Sequence, residues 1–296
     1  MKTRYYIGTA GWSYKDWVRV FYPKQQDSSF DYLTFYSQYF NITEVNSTYY
    51  TYITPSIASG WLRKVDEEDD FVFTVKLNGD FTHKRKFSKE NVLKTVAVLD
   101  ILAKNSRLNG ILMQFPYSFV FNGESVRYVG MLSEIFGMYN RFIEIRHSSW
   151  NNKDAEGFMS ENDLTFTTVD QPQLGEAMDF KPVITNGRGY FRLHGRNGEG
   201  WKKSISDFGR GERGGDPNER YRYLYSLSEL TDIAQKIKEK EGKLKEINVI
   251  MNNHPGGGAV VNALEMIILL GEKLKKKIPS SLKKEENKSL NLFGDL

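Results

Sequence analysis

Short apolar runs recur along almost the whole chain, and each ends in polar or charged residues: YYIGTAGWS, ITEVN, FVFTVKLN, GILMQFP, RFIEIRH, TFTTVD, GYFRLHG and INVIMNN. Runs of this length, rich in aromatic and β-branched residues, predict strands at 5–9, 43–46, 71–77, 110–115, 142–145, 164–169, 190–193 and 246–251. Between most of them the apolar period changes to that of a helix. Ile57, Trp61 and Val65 share one helical face behind Pro55, and Val92, Val96, Leu99 and Ala103 share another. Further helices are predicted over 30–39, 124–136, 154–161, 224–241 and 259–276. Eight strands alternating with helices predict an α/β fold of the TIM (β/α)8 type. The pattern weakens after the sixth strand, where the helix is irregular or missing and 183–185 reads as an extra extended piece. A long Gly- and Arg-rich insertion, 195–222, follows the seventh strand.

No Pro/Gly/Ser linker divides the chain of 296 residues, so residues 1–278 are expected to form one barrel, followed by a flexible basic tail at 279–296. Charge sharpens this division. Of 41 basic and 37 acidic residues, seven lysines and three acids lie from Lys273 onward, which leaves a body with 34 of each sign. The excess of +4 therefore belongs to the tail, and a polycationic nucleic-acid surface is not implied. The absence of cysteine excludes thiol catalysis, disulfides and cysteine-bound metals. No apolar run approaches the roughly 18 residues of a membrane span, and MKTRYYIG carries no signal-peptide pattern, so a cytoplasmic protein is expected.

In barrels of this kind chemistry gathers where the strands end. Those ends carry Glu44 and Asn46, Lys76, Gln114, Glu144 and Arg146, Asp170, Arg192 and His194, and Asn252 and Asn253. Residues two apart in a strand share a face, which makes Glu44/Asn46, Glu144/Arg146 and Arg192/His194 same-face pairs. Glu44, Lys76, Glu144, Asp170 and His194 are the candidate catalytic groups. Lys76 fits three roles: acid/base catalyst, Schiff-base nucleophile or anion ligand; the structural alternative is an ion pair with Glu44 or Glu144. Glu44, Glu144, Asp170 and His194 also form a candidate divalent-metal set, although no His-x-His or His-Glu-x-x-His spacing supports it. Of the other histidines, His83 and His254 read as solvated or structural, and His147 as facing away from Arg146.

Candidate substrate-binding residues are Trp12, Tyr14, Asn46, Gln114, Arg146, Arg192, Arg196, Asn252 and Asn253. Arg146, Arg192, Arg196, Arg210 and Arg213 offer forked donors to phosphate or carboxylate. Trp12, Tyr14 and Trp17 could stack a base or sugar, or could form an aromatic plug. Gly256-Gly257-Gly258 could cradle an anion at a helix N-terminus or simply make a turn.

Several segments together resemble the YecE-like family, domain of unknown function 72: GTAGWSYKDW with FYP, EVNSTYY, the QFP of LMQFP, EIRHSSW, YFRLHGR and MNNHPGGGAVVNA. They run in order from Gly8 to Ala263. The resemblance implies a TIM barrel and places Glu44, Asn46, Gln114, Glu144, Arg146, His194 and Asn252 in family motifs. It supplies no established reaction. Its barrel is similar to those of apurinic-site endonucleases, but the histidine-rich ligands of that class are missing, so a trinuclear zinc site is not carried over. Separately, Ser289-Leu290-Asn291-Leu292-Phe293 resembles peptides that dock DNA enzymes on sliding clamps, with Leu290, Leu292 and Phe293 as anchors.

These features support a hydrolase or lyase acting on a phosphate-bearing small molecule or nucleic acid at the C-terminal face of the barrel. Two other readings are a non-catalytic nucleic-acid-binding or repair-accessory protein that docks on a sliding clamp, and a sugar or sugar-phosphate enzyme.

Overall fold

The first strand, β1 (Arg4–Ala10), is hydrogen-bonded in parallel to both the second and the last, so the sheet rolls back on its own beginning. The computed structural model describes residues 2–203, 218–279 and Leu282. Its nine parallel strands follow the order β6-β5-β4-β3-β2-β1-β9-β8-β7. They are β2 (Ile42–Val45), β3 (Val72–Lys76), β4 (Leu108–Gln114), β5 (Arg141–Glu144), β6 (Thr165–Phe166), β7 (Thr168–Asp170), β8 (Arg188–Leu193) and β9 (Glu246–Met251). The strand predicted at 164–169 is thus two strands broken at Thr167: β6 pairs with β5 and β7 with β8. Together they all but close a TIM-type barrel.

At the break a residue from outside the sheet takes over backbone hydrogen bonds. Phe166 donates its backbone N–H to the Thr185 hydroxyl, which itself donates to the Leu164 carbonyl. Side-chain bonds from 185 therefore satisfy backbone groups beside β6, and the extra extended piece expected at 183–185 is not a strand. The chain between β7 and β8 is irregular, as the weakened pattern implies.

The outer helices start where capping chemistry places them. They are α1 (Tyr32–Ser37), α2 (Pro55–Lys64), α3 (Gly79–Thr82), α4 (Lys89–Lys104), α5 (Gly123–Ile135), α6 (Lys153–Glu161), α7 (Leu227–Lys238) and α8 (Gly258–Leu269). Asp31, Asn122 and Asn152 accept backbone N–H groups at the starts of α1, α5 and α6, and Pro55 opens α2. Ser88 and Ser226 form capping boxes with Asn91 and Glu229. No helix among the described residues is long and apolar enough to cross a membrane.

Inward-facing positions recur every second residue, so the barrel is filled in layers. Tyr6, Ala10, Ile42, Val72, Leu112, Phe142, Tyr190 and Ile250 form an apolar cluster distinct from the core under the helices. One step further along the same strands come Glu44, Gln114, Glu144, Arg192 and Asn252. The polar layer therefore rests on an apolar floor, where Phe142 and Tyr190 stack with centroids 4.2 Å apart.

A candidate active site built on an arginine-bridged carboxylate pair

Glu44 and Glu144 are fully buried, and unpaired carboxylates there would be prohibitively costly. Arg192 joins them. Its Nε lies 2.9 Å from Glu44 Oε2, its Nη2 lies 2.5 Å from Glu44 Oε1, and its Nη1 bonds Glu144 Oε2. Tyr190 donates to Glu44 at 2.9 Å, and Arg146 Nε donates to Glu144 Oε1 at the same distance. Burial pushes the Glu144 carboxyl up, but Arg192 and then Arg146 outweigh it and hold the group well below the usual carboxylate range. Both acids are thus committed to guanidinium groups.

His194 completes this layer. Its Nε2 is 3.3 Å from Glu144 Oε1, and its Nδ1 is 2.8 Å from the Asn252 amide nitrogen. With that amide donating, Nδ1 accepts and Nε2 carries the proton toward Glu144. Burial, with Arg146 next, pulls the imidazole pKa down to about 3, so the ring is neutral near pH 7.

Lys76 ends β3 partly buried in the barrel mouth, yet it takes none of these carboxylates. Its Nζ lies over the Tyr49 ring, 4.5 Å from the centroid. Desolvation, then repulsion by Arg192, lowers its pKa to about 7, with Glu144 and Glu44 only partly opposing. The alternative of an ion pair with Glu44 or Glu144 is not realised, because two arginines occupy those carboxylates.

Among the described residues after β8, Trp201, Arg220 and Tyr221 bring aromatic and cationic groups to the mouth. The Arg146 guanidinium lies 5.1 Å from the Trp201 ring centroid, and Arg220 lies 4.8 Å from that of Tyr221. Tyr221 in turn stands 6.0 Å from the His194 ring. Burial raises the Tyr221 hydroxyl, but Arg146, Arg220 and Arg192 outweigh it and hold the group below the ordinary tyrosine value. His83 packs edge-on against Tyr49 with ring centroids 5.0 Å apart; burial and then Lys76 pull its pKa down to about 4.

The structure separates other expected site residues from this cluster. Asp170 pairs in register with Leu193, so its side chain leaves the barrel on the helix side. There it accepts Arg196 Nη2 at 2.8 Å and the Tyr225 hydroxyl at 2.6 Å. Arg196 also reaches Glu229 at 3.0 Å. Asp170 and Arg196 are therefore corrected from site residues to an ion pair joining the barrel to α7. Arg192, expected to bind substrate, is buried with its donors spent on protein carboxylates, and so acts as a strut. The expected metal set also fails the fit. Asp170 points away, a guanidinium sits between Glu44 and Glu144, and no group of three or more His, Asp or Glu side chains among the described residues could hold a metal ion.

The loop after β1 is built as a plug. Trp12 packs edge-on against Trp61 at 5.7 Å, and Tyr14 stacks on His254 at 4.5 Å while donating to the Ala10 carbonyl. Trp17 is fully buried and donates to the His254 carbonyl at 2.8 Å. The triple glycine before α8 already has its anion, because the Gly256 N–H donates to Asp16 at 2.7 Å. Gly257 has φ +81°, and a Cβ there would meet Val20 at 2.6 Å, so the backbone itself demands glycine.

Gln114 lies beside Glu144 in register, and Asn46 follows β2 with a buried Oδ1 that has no hydrogen-bond partner among the described residues. Asn253 is used structurally, donating to Asn262 and to the Tyr223 carbonyl. His147 caps the turn at Ser148–Trp150, accepting the Ser149 N–H at 3.1 Å. Arg210, Arg213, Leu290, Leu292 and Phe293 lie outside the described residues. Sequence reasoning missed Tyr49, Tyr190, Trp201, Arg220 and Tyr221. Tyr190 was legible as the same-face neighbour of Arg192; Trp201 and Tyr221 stood out only as aromatic residues in a basic, Gly-rich loop.

Fold and site define a parallel α/β barrel with a charged, aromatic-rimmed C-terminal mouth. Residues 6–287 match the model of the family described as "Protein of unknown function DUF72", and the chain belongs to that family. It is similar to UPF0759 protein YunF of Bacillus subtilis (strain 168), with 29% identity over 279 residues that span 90% of this chain and 94% of that one. A solved DUF72 family protein from Thermotoga maritima MSB8 is 34% identical, with a TM-score of 0.78 over 90% of this chain and 99% of the other. A DUF72 family protein from Enterococcus faecalis V583 shares the fold at 24% identity and a TM-score of 0.78, over 93% of this chain and 98% of that one.

Proposed function

We propose that the chain is an enzyme that binds a phosphate-bearing small molecule at the C-terminal mouth of the barrel and acts on it by lyase or hydrolase chemistry, with Lys76 as base or nucleophile. One observation carries this reading. Lys76 stands in the mouth with no carboxylate partner among the described residues, while Arg192 and Arg146 neutralise the two acids beside it. A structural lysine would take the ion pair; a lysine kept from it can lose its proton near neutral pH. Arg146, stacked on Trp201 at the rim, supports binding of the anionic group.

A small molecule is favoured over a polymer because the aromatic residues suited to stack bases, Trp12 and Tyr14, are packed against Trp61 and His254. A glycosidase is disfavoured because Arg192 fills the gap between Glu44 and Glu144 that a sugar would need. NMR titration of the chain labelled at lysine Cε tests the reading with inorganic phosphate. One signal, missing in Lys76→Met, should titrate near pH 7 and move to higher pKa when phosphate binds, and Arg146→Gln should blunt that response. An ordinary lysine titration, or indifference to phosphate, would end it.

A further inference from the structure

Three features of the mouth go beyond anion binding. The Lys76 amine lies against the face of Tyr49, a surface that suits a cationic nitrogen whether ammonium or iminium. Tyr221 stands over the same polar layer, its ring 6.0 Å from that of His194 and 5.9 Å from that of Trp201, with the Arg220 guanidinium 4.8 Å from its centroid. His194 and Glu144, the other groups able to exchange protons in this layer, are bonded to each other and to arginines beneath the mouth. Among the described residues of the mouth, Lys76 supplies an amine and Tyr221 a phenol, a pairing suited to carbonyl chemistry.

We infer that Lys76 forms an iminium with an aldehyde or ketone that also carries a phosphate, with Tyr221 as the acid that dehydrates the addition product. This rests on the reading of the mouth as a phosphate-binding site. The amine lone pair adds to the carbonyl carbon, the C=O π pair moves to oxygen, and a proton passes from nitrogen to that oxygen. Tyr221 then gives its proton to the carbinolamine hydroxyl, which leaves as water, and the nitrogen lone pair forms the C=N bond. The products are the iminium, water and a Tyr221 phenolate held by Arg146 and Arg220. Bond cleavage or proton loss next to the carbonyl carbon can then use the iminium as electron sink, which is lyase chemistry.

Reductive trapping tests this on the full chain. Incubation with glycolaldehyde phosphate and cyanoborohydride, followed by peptide mass mapping, should place the reduced adduct on Lys76 ahead of every other lysine. At pH 7 its free-amine share exceeds that of an exposed lysine by about a thousandfold. Unphosphorylated glycolaldehyde should label it more slowly, and inorganic phosphate should compete. Tyr221→Phe should slow the maximal rate of adduct formation by about a hundredfold while leaving half-saturation nearly unchanged, a split that misfolding would not produce. Label spread over surface lysines with Lys76 unmodified, while its NMR signal still responds to phosphate, would overturn the iminium and leave the binding site standing. Absence of both label and phosphate response would remove both.

Discussion

Arg192 and Glu44, 148 residues apart in the chain, meet through two guanidinium nitrogens, Nε to Oε2 at 2.9 Å and Nη2 to Oε1 at 2.5 Å. This fork spans the barrel from β8 to β2, and the third nitrogen carries it on to Glu144 on β5. With Arg192 only 1% exposed, the contact is a desolvated pair whose halves are each indispensable to the other. Arg192→Met should therefore leave two buried carboxylates short of a partner and cost about 3–5 kcal/mol, against the smaller loss expected from Glu44→Gln. Urea denaturation of the two variants measures the difference, and an Arg192→Met midpoint close to wild type would show that the bridge is dispensable.

Asp170 and Arg196 make a different prediction because they lie on the helix side of the sheet. Asp170→Asn weakens the tie to Arg196 and Tyr225, so it should lower the thermal midpoint by a few degrees, as expected for a loss of about 1–2 kcal/mol in a chain of this size. Phosphate affinity measured by calorimetry should stay at the wild-type value. A large loss of phosphate binding with an unchanged midpoint would return Asp170 to the site.

The contrast between Asp170 and Glu144 shows where the sequence stops being legible. Strand parity correctly puts Glu44, Glu144 and Arg192 inside the barrel, because each lies two residues beyond an inward apolar residue: Ile42, Phe142 and Tyr190. Asp170 entered the expected site only as a strand-end residue without a same-face partner; the strand breaks at Thr167, and its second half pairs with β8 in a register that turns Asp170 to the helix side. The order of strands and helices was readable, and β9 matches its predicted range, but α1, α7 and α8 are shorter than the predicted 30–39, 224–241 and 259–276, and α3 had no predicted counterpart. Which carboxylate each cation would choose was not readable. Lys76 and Arg192 compete for the same acids, and only the three-dimensional placement of the guanidinium fork decides it. The loop aromatics Trp201 and Tyr221 were invisible as site residues because they return to the mouth from a segment without periodicity.

The cluster around Lys76 predicts opposite shifts from two substitutions of similar size. Glu144 raises the lysine pKa and Arg146 lowers it. Glu144→Gln should therefore move the Lys76 titration below about 7, and Arg146→Gln should move it above. The lysine-labelled NMR titration reads both. Shifts of the same sign would mean that reorganisation of the mouth, not charge, sets the value.

Two buried groups, His194 and Glu265, contribute to the pH dependence of stability in opposite directions. His194 has a folded pKa of about 3, lowered by burial and then by Arg146, against an ordinary value of 6.5. Between those values the unfolded chain binds a proton that the folded chain refuses, so stability rises with pH from about 3 to 6.5. Glu265 on α8 is fully buried, and burial lifts its pKa to about 7 despite the hydrogen bond that Asn262 donates to it at 2.7 Å. Here the folded chain keeps a proton that the unfolded chain has released, so stability falls as pH rises from 4.5 to about 7. The shift corresponds to about 3 kcal/mol at most. Glu265→Gln should remove the fall and make the protein more stable than wild type at pH 8, with little difference at pH 4. Urea midpoints at the two pH values give the answer, and equal wild-type and variant midpoints at pH 8 would show that Glu265 carries no such penalty.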